Sequence, residues 1–550
     1  MEKLKPKLFS VMKTYTKEQF VKDVIAGIIV AIIALPLSIA LALASGVTPE
    51  KGLYTAITAG FVISFLGGSR VQIAGPTAAF ATIVAGIVAK QGMDGLVIAT
   101  LLAGMILILM GLLRLGNLIK FIPYTITTGF TSGIAITILI GQLKDFFGLT
   151  IVSTEPLVET MDKLSADVKA IGTINIQATL VGVLCLAILI FWPKLPGFLK
   201  KIPPSLIAVI VSIIIVKGLA LNVNTIGDLY EISNKPPQFH LPAITLSSVG
   251  SLLPDAFTIA ILAAIESLLS CVVADSMVNS RHRSNMELIA QGAGNMTSAL
   301  FGGIPATGAI ARTAANVKNG GRTPIAGMVH AVTLFLILII LMPYAALIPM
   351  PAIAAILFMV AYNMSEWRKF LHLLKTSPKS DIIVLVTTFI LTVVFDLVVA
   401  IETGILLAAV LFMKRMSDVT EVESWKYVDE DNVPDSLSLR VVPKHTHVYE
   451  ISGPMFFAAA NKILSITLEE KTKCLVLRMR SVNAIDATAM HSLEELQEKC
   501  QKMGIVLILS HVNDQPMNVM KKSGFYETVG SENFCAHIDD ALARAEAVGK

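Results

Sequence analysis

The stretch FGGIPATGAIARTAANV, residues 301–317, decides how this chain folds. It stands among apolar runs, where a membrane-spanning helix is expected. Yet glycines and Pro305 break its first half, and Arg312 sets a permanent charge in its second. A charge at membrane depth is costly and is by default a functional feature. Irregular backbone survives there only when buried in protein or lining a cavity. The stretch therefore reads as a break followed by the head of a short helix.

A counterpart lies in the first half of the chain. Residues 74–80 read AGPTAAF and residues 303–309 read GIPATGA. Each sets proline and threonine beside small residues at the head of a short apolar segment. The first falls in the third segment of the first seven, the second in the third of the second seven. Paired interruptions at matching positions point to a transporter of inverted repeats with its binding site at the midplane. A half-helix that begins inside the membrane offers unpaired N–H groups and the positive end of its dipole. Two such ends facing each other hold an anion without lysines. Glycine and alanine let it approach the backbone. The competing reading is that small residues and proline serve only close packing and kinks.

Composition sets the same frame. The chain has 550 residues, 54% hydrophobic and 15% charged, with a mean hydropathy of +0.72. Soluble domains are about 25% charged, so water is not the solvent for most of it. Apolar runs continue to residue 416, and charges then return at ordinary density. This divides the chain into an N-terminal segment (1–23), a transmembrane transport domain (24–416), a linker (417–435) and a soluble domain (436–550). The net charge of +4 gives no case for nucleic acid. Cys185, Cys271, Cys474, Cys500 and Cys535 show no metal-ligand or redox spacing. No cleavable signal peptide is expected.

A spanning helix needs roughly 20 apolar residues. Clear runs lie at 24–45, 96–113, 174–192, 203–219, 255–274, 325–348, 381–395 and 398–413. Shorter or interrupted ones lie at 52–67, 76–89, 123–143, 286–301, 307–317 and 351–362, which makes about fourteen segments. With the N-terminus inside, basic residues gather on the inner side: Lys3–Lys22, Arg114, Lys120, Lys194, Lys200, Lys201, Arg281, Arg283, Lys318, Arg322, Arg368, Lys369, Lys375, Lys379, Lys414 and Arg415. Opposite loops are poor in them; 220–254 holds only Lys235. Both termini are thus expected in the cytoplasm.

The segment AILAAIESLLSCVVADSM, residues 260–277, carries Glu266 within an apolar helix, with Ser267 and Ser270 nearby. A wholly positive cradle would hold its anion too tightly to release it. Burial penalises a charged carboxylate and a nearby cation supports it, so Glu266 suits exchange of a proton or sodium. Arg312 sits about one and a half turns into the second half-helix, placed to add positive potential. The alternative for both is a structural ion pair, Arg312 with Glu266 or with Asp275. Asp275 otherwise reads as an interface or gate residue, and Glu402 as structural. His330 and His372 fit no metal pattern.

The segments LPLSIALALASGVTPEKGLYTA (35–56), GGSRVQIAGPTAAF (67–80), AIESLLS (264–270), QGAGNMTSALFGGIPATGAIARTAANV (291–317) and LTVVFDLVVAIETGI (391–405) resemble the SulP family of anion transporters. The resemblance covers nearly the whole chain. It implies a polytopic α-helical membrane protein of about fourteen segments, built as two inverted seven-segment repeats with two half-helices. A small cytoplasmic α/β STAS domain follows. It also implies a homodimer in which a core moves against a gate in an elevator-like way, and residence in the bacterial inner membrane. Carried over, the substrate site falls between Pro76, Thr77 and Ala78 and the matching Thr307, Gly308 and Ala309. Glu266 takes the family's acidic position, with Ser270 one turn beyond. A glutamate where the sodium–bicarbonate branch has aspartate tilts the expectation toward proton coupling. Sulfate carriers often show a glutamine after the proline where this chain has Leu37. PLSIALALASGVTP (36–49), GFTSGIAITILIGQLKDFFGL (129–149) and AYNMSEW (361–367) look closest to the enterobacterial C4-dicarboxylate branch.

Residues 436–550 alternate strand-like runs (SLRVV, HVYEIS, CLVLRM, IVLILS) with helix-like ones, as a small α/β sheet does. GPMFFAAANKI (453–463) and VNAIDATAM (482–490) resemble STAS segments. Signalling STAS domains have a phosphorylated serine after the aspartate. Here Ala487 stands there, with Thr488 next. No phosphate loop or nucleophile arrangement appears, so the chain is not expected to be an enzyme. A regulatory partner is expected at the soluble domain. The functional expectation is proton-coupled uptake of a small anion, by resemblance a C4-dicarboxylate. Sulfate or sodium-coupled bicarbonate stands as an alternative. An uncoupled channel or a membrane-tethered sensor are the other classes. No cofactor is expected beyond the co-transported H+ or Na+.

Overall fold

Caps and prolines fix where the helices begin. Helix α1 (Lys17–Ala44) starts at Thr16, whose hydroxyl accepts the Gln19 N–H, and it runs on through Pro36. That cap takes one of the donors the first turn leaves open. Helix α2 (Pro49–Leu66) opens on a proline at its first position, where a fixed φ suits the helix. Strand β1 (Ala74–Gly75) follows, then a single turn at Ala78–Phe80 and α3 (Ala81–Leu112). Gly92, at φ 69°, breaks α3 into two helices. Helices α4 (Tyr124–Gly141), α5 (Ile176–Phe191) and α6 (Pro204–Gly218) complete the first half.

The second half repeats this order. It runs α7 (Leu246–Val278), α8 (Ser284–Leu300), β2 (Thr307–Gly308), α9 (Ile310–Lys318), α10 (Ile325–Leu341), α11 (Met350–Ser365), α12 (Lys379–Val394) and α13 (Leu397–Val419). With α3 counted as two, each half presents seven such segments. These assignments come from a computed structural model that describes residues 4–117, 123–151, 159–196, 202–242, 246–395, 397–424, 442–457, 461–464, 466, 468 and 471–550. Lys3, Lys120, Lys200 and Lys201 lie outside the described residues.

Packing repeats as well. Helix α1 lies on α10, and its counterpart α7 lies on α3; α2 meets α10 as α8 meets α3. These helices, with α9, make one bundle. Helix α4 packs on α11 and α12, and α5 on α6 and α11, making a second. By length and composition, six helical stretches among the described residues are able to cross a membrane: Lys17–Ala44, Ala78–Leu112, Tyr124–Phe147, Ile176–Lys194, Val249–Val278 and Ile325–Leu347. The half-helices depart from the sequence expectation in one way. Helix was expected from 76 and 307, but the chain stays extended at 74–75 and 307–308, and α3 and α9 begin at 81 and 310.

The chain divides into two compact units, Met1–Leu406 and Leu407–Lys550. The second holds a five-stranded sheet in the order β3 (Glu421–Ser424), β4 (Thr446–Ser452), β5 (Cys474–Ser481), β6 (Val506–Ser510), β7 (Phe534–Cys535). β3 is antiparallel to β4 and the other pairs are parallel. β3 lies within the stretch expected as linker, and the strand expected at 438–442 falls outside the described residues save Val442. Helix α14 (Ala487–Lys502) buries Leu493, Leu496 and Cys500 on one face of the sheet. Ile538, Ala541, Leu542 and Ala545 cover the other.

Asp486 caps α14: its carboxylate accepts the Ala489 N–H at 2.9 Å and the Phe457 N–H at 2.7 Å. Ala487 is the first helical residue and Thr488 is exposed. Replacing Asp486 by Ala is expected to cost about 1–2 kcal/mol locally. Faster backbone hydrogen exchange at 487–490 in the full-length protein is the readout; unchanged protection would show the cap to be idle.

Candidate functional site

The two interruptions meet. β1 and β2 pair antiparallel, Ala74 opposite Gly308 and Gly75 opposite Thr307. Equivalent strands that meet antiparallel are what halves of opposite orientation produce. From this pairing the chain enters the turn at 78–80 on one side and α9 on the other. Thr77 and Ala309 hold the positions before these helices in extended conformation, and neither helix has a side-chain cap. The first turn of a helix carries N–H groups without intrahelical acceptors and the positive end of the dipole.

Arg312 adds a fixed charge. Its side chain is 3% exposed. Nη2 donates to Ser38 Oγ and to the Pro76 carbonyl, both at 3.3 Å. Among the described residues Nη1 has no hydrogen-bond partner, and no carboxylate pairs with the guanidinium. The structural ion pair is thus not formed. Asp275 instead binds the His282 ring at 2.8 Å and the His282 N–H at 2.7 Å, closing the turn between α7 and α8. Glu266 accepts the Thr77 hydroxyl at 3.0 Å.

The other expected site residues fall around this centre. Ala78 starts the turn after β1. The Thr307 hydroxyl lies 2.6 Å from Ser267 Oγ and donates to the Ala263 carbonyl at 3.3 Å. The Gly308 N–H donates to Ser267 Oγ at 3.1 Å, and the Ala309 N–H to the Ile73 carbonyl at 2.9 Å. Ser270 sits elsewhere, 3.4 Å from Thr313 Oγ1 and not bonded to Glu266. Glu402 is exposed on α13 and has no part in the site.

A ring of buried polar side chains holds the two strands, and motif reading alone did not single most of them out. Asn295 brackets Ala306, donating to its carbonyl at 2.9 Å and accepting its N–H at 2.8 Å. Thr55 accepts the Ile304 N–H at 2.7 Å, while Ser298 donates to the Ile304 carbonyl at 2.7 Å. Gln72 donates to the Ser267 carbonyl at 3.2 Å, and Asn316 to the Val71 carbonyl at 2.8 Å. One signal was available. Glu287, Gln291 and Asn295 recur every four residues along an otherwise small and apolar helix, which puts them on one buried face. Glu287 uses that face to accept the Gly68 and Ser69 N–H groups at 2.8 and 3.1 Å.

The sequence pattern of the sulfate permease family matches residues 20–388, and that of the STAS domain matches 438–541. The chain belongs to the sulfate permease family. YvdB of Bacillus subtilis (strain 168), a sulfate transporter by provisional name, is 40% identical over 534 residues, covering 96% of this chain and 98% of YvdB. The bicarbonate transporter BicA of Picosynechococcus sp. is 32% identical over 547 residues, covering 95% of this chain and 94% of BicA. Among solved structures, murine Slc26a9, an anion transporter, superposes with a TM-score of 0.89 at 19% identity over 99% of this chain and 94% of its own. The transmembrane domain of a cyanobacterial BicA superposes with a TM-score of 0.62 at 28% identity, over 72% of this chain and 98% of that one. These relatives are membrane transporters, and this member of the family is an integral membrane anion transporter, not an enzyme.

Two glycines make the site compact. A Cβ on Gly75 would lie 2.3 Å from Arg312 Nη1, and one on Gly308 would lie 1.4 Å from Gln72 Nε2. Gly308→Ala therefore has to push Gln72 off the Ser267 carbonyl and shift β2. Anion uptake is expected to fall about a hundredfold, the scale of an ångström's misplacement, with membrane abundance kept. Near-normal uptake by that variant would show the strand position to be unimportant.

Proposed function

We propose that this chain imports a small oxyanion with a proton, binding it between the two half-helix N-termini beside Arg312. One observation carries the reading: the buried Arg312 Nη1 has no partner among the described residues, while its neighbour Nη2 meets the Pro76 carbonyl just before the first of two helix starts that lack side-chain caps. A buried donor without an acceptor costs about 1–3 kcal/mol, more when charged. An anion there meets Nη1, the main-chain N–H groups and both dipoles at once.

Glu266 supports coupling by its position. It is bonded to Thr77, the residue that precedes the first half-helix. A charged Glu266 holds the Thr77 hydroxyl and opposes an incoming anion. A protonated Glu266 does not oppose it, so proton and anion favour each other's entry. The cargo is read as sulfate or bicarbonate, the anions for which YvdB and BicA are named. The C4-dicarboxylate alternative rests on the stretches at 36–49, 129–149 and 361–367. A second carboxylate would need hydroxyl donors, and those of Thr77 and Thr307 are already engaged.

The same reading places both termini in the cytoplasm of a bacterium and the protein in its inner membrane. The N-terminal segment supports it: Lys7 Nζ donates to the Arg281 carbonyl at 2.7 Å, and Arg283 to the Lys5 carbonyl at 2.7 Å. Basic residues assigned to one side by charge are thus neighbours. A homodimer, elevator-like displacement of one bundle against the other and a regulatory partner at the STAS domain belong to this proposal. The anion must bind the two access states differently if it is to bias them.

Uptake into proteoliposomes with the outside acidified tests the cargo, with labelled sulfate, bicarbonate and succinate compared. Sulfate or bicarbonate uptake that needs the pH gradient is expected; succinate uptake alone would replace the cargo, and uptake of none would overturn the function. Arg312→Ala is expected to raise the half-saturating anion concentration about tenfold or more, the worth of a charged hydrogen bond. An unchanged value would make Arg312 structural. Glu266→Gln is expected to lose the drive from a pH gradient while keeping anion-for-anion exchange. A variant still driven normally by pH would remove Glu266 from the coupling.

A further inference from the structure

Between α11 and α12 lies a helix that the anion site leaves unused, Trp367–Thr376. A single residue, Glu366, joins it to α11, at φ 40°. That left-handed residue interrupts the helical run and turns the chain aside. At the other end Ser377 and Pro378 lead directly into α12. Both neighbours are apolar segments of the membrane domain. A helix tied this closely to each stays at the membrane surface.

Its sequence, WRKFLHLLKT, has two faces. Trp367, Phe370, Leu371 and Leu374 recur at helical spacing on one. Arg368, His372 and Lys375 line the next, and Lys379 follows at the head of α12. The protein covers only part of the apolar face. The Phe370 ring lies 5.2 Å from that of Phe389 on α12, and Leu373 and Leu374 are half-buried. Trp367 and Leu371, by contrast, are 44% and 43% exposed. Tyr124, which starts the α4 helix against which this one packs, is exposed as well. Charge stands beside these open side chains. The Arg368 guanidinium lies over the Trp367 ring, 5.3 Å from its centre. Glu366 is taken by Lys369 at 2.7 Å, and no acid occurs from 367 to 380. Among the described residues no carboxylate pairs with Arg368, Lys375 or Lys379.

We infer that this helix is a docking site for anionic lipid. Trp367 and Leu371 enter the acyl boundary, while Arg368, Lys375 and Lys379 bind the phosphate of the headgroup. A helix with tryptophan and leucine on one face and basic residues along the other lies in the interface and favours anionic lipid. Long basic side chains reach the headgroups while their stems cover apolar surface. The contacts with α4 and Phe389 put the helix on the second bundle. Bound lipid therefore holds that bundle, not the one that carries Arg312.

The test uses the full-length chain with Trp192→Phe and Trp425→Phe, which leave Trp367 as the only tryptophan. It is reconstituted in bilayers of equal parts phosphatidylglycerol and phosphatidylcholine, with bromine on the acyl chains of one lipid or of the other. Brominated chains quench a tryptophan that they touch. Phosphatidylglycerol is expected to be the favoured neighbour of Trp367 by about fivefold or more, the worth of one basic residue at an anionic surface. Arg368→Gln, Lys375→Gln and Lys379→Gln together should bring the two lipids level. Equal quenching before those charges are removed, or a preference that survives their removal, overturns the inference. Quenching by neither lipid would show Trp367 covered by protein and overturns it too. Should the single-tryptophan chain not fold, thermal unfolding of the chain with all its tryptophans decides, in neutral-detergent micelles with either lipid added. Stabilisation by phosphatidylglycerol that the three substitutions remove supports the site. Stabilisation that is absent, equal for both lipids or unchanged by the substitutions overturns it. The anion cradle is tested separately, by uptake.

Discussion

A peptide group inside hydrocarbon has no water to bond, and each one left bare costs several kcal/mol. A helix that stops halfway across a membrane exposes such groups, so the structure depends on what receives them. Here each interruption is the other's partner. Ala74–Gly75 and Thr307–Gly308 pair by main chain alone, and Asn295, Thr55 and Ser298 take the next peptide groups along. The N–H groups in the first turn of a helix have no intrahelical acceptor, and at these two starts they are the ones that suit an anion.

Neutral groups do most of the holding, and that bears on the electrostatics. Had a carboxylate been used to brace Arg312, the pair would cancel and the cradle would lose its charge. Ser38 and the Pro76 carbonyl hold the guanidinium without neutralising it. Glu266 is kept apart by its bond to Thr77. Asp275 is engaged with His282 in a turn. In the proposed reading, positive potential and acidic switch are thereby separate parts, adjustable one without the other.

Much of this could be read in the chain beforehand. The paired GIPATGA and AGPTAAF stretches showed a broken-helix repeat because proline, glycine and small residues have few other uses at matching membrane positions. Glu266 and Arg312 stood out because charge is rare in such segments. The strand pairing could not be read: two residues per strand carry no periodicity, and the contact joins positions more than two hundred residues apart. Nor could Ser270 be told from Ser267. Both lie on one helix within a turn of Glu266, but Ser267 meets Thr307 and Gly308 whereas Ser270 meets Thr313. Asn295 and Gln72 look like ordinary polar residues until the backbone they bracket is known.

The pairing of β1 with β2 also shapes how such a protein can change over generations. A pocket lined by side chains is rebuilt whenever one of them is replaced. In the proposed cradle Arg312 is joined by main-chain N–H groups, which survive any substitution that leaves the two short strands in register. Residues at the helix starts whose side chains make no hydrogen bond, such as Ala78 and Ala309, have more room to drift and so to alter which anion fits, while the capacity to hold an anion persists. Gly75 and Gly308 have no such freedom, since a single added carbon would meet Arg312 or Gln72.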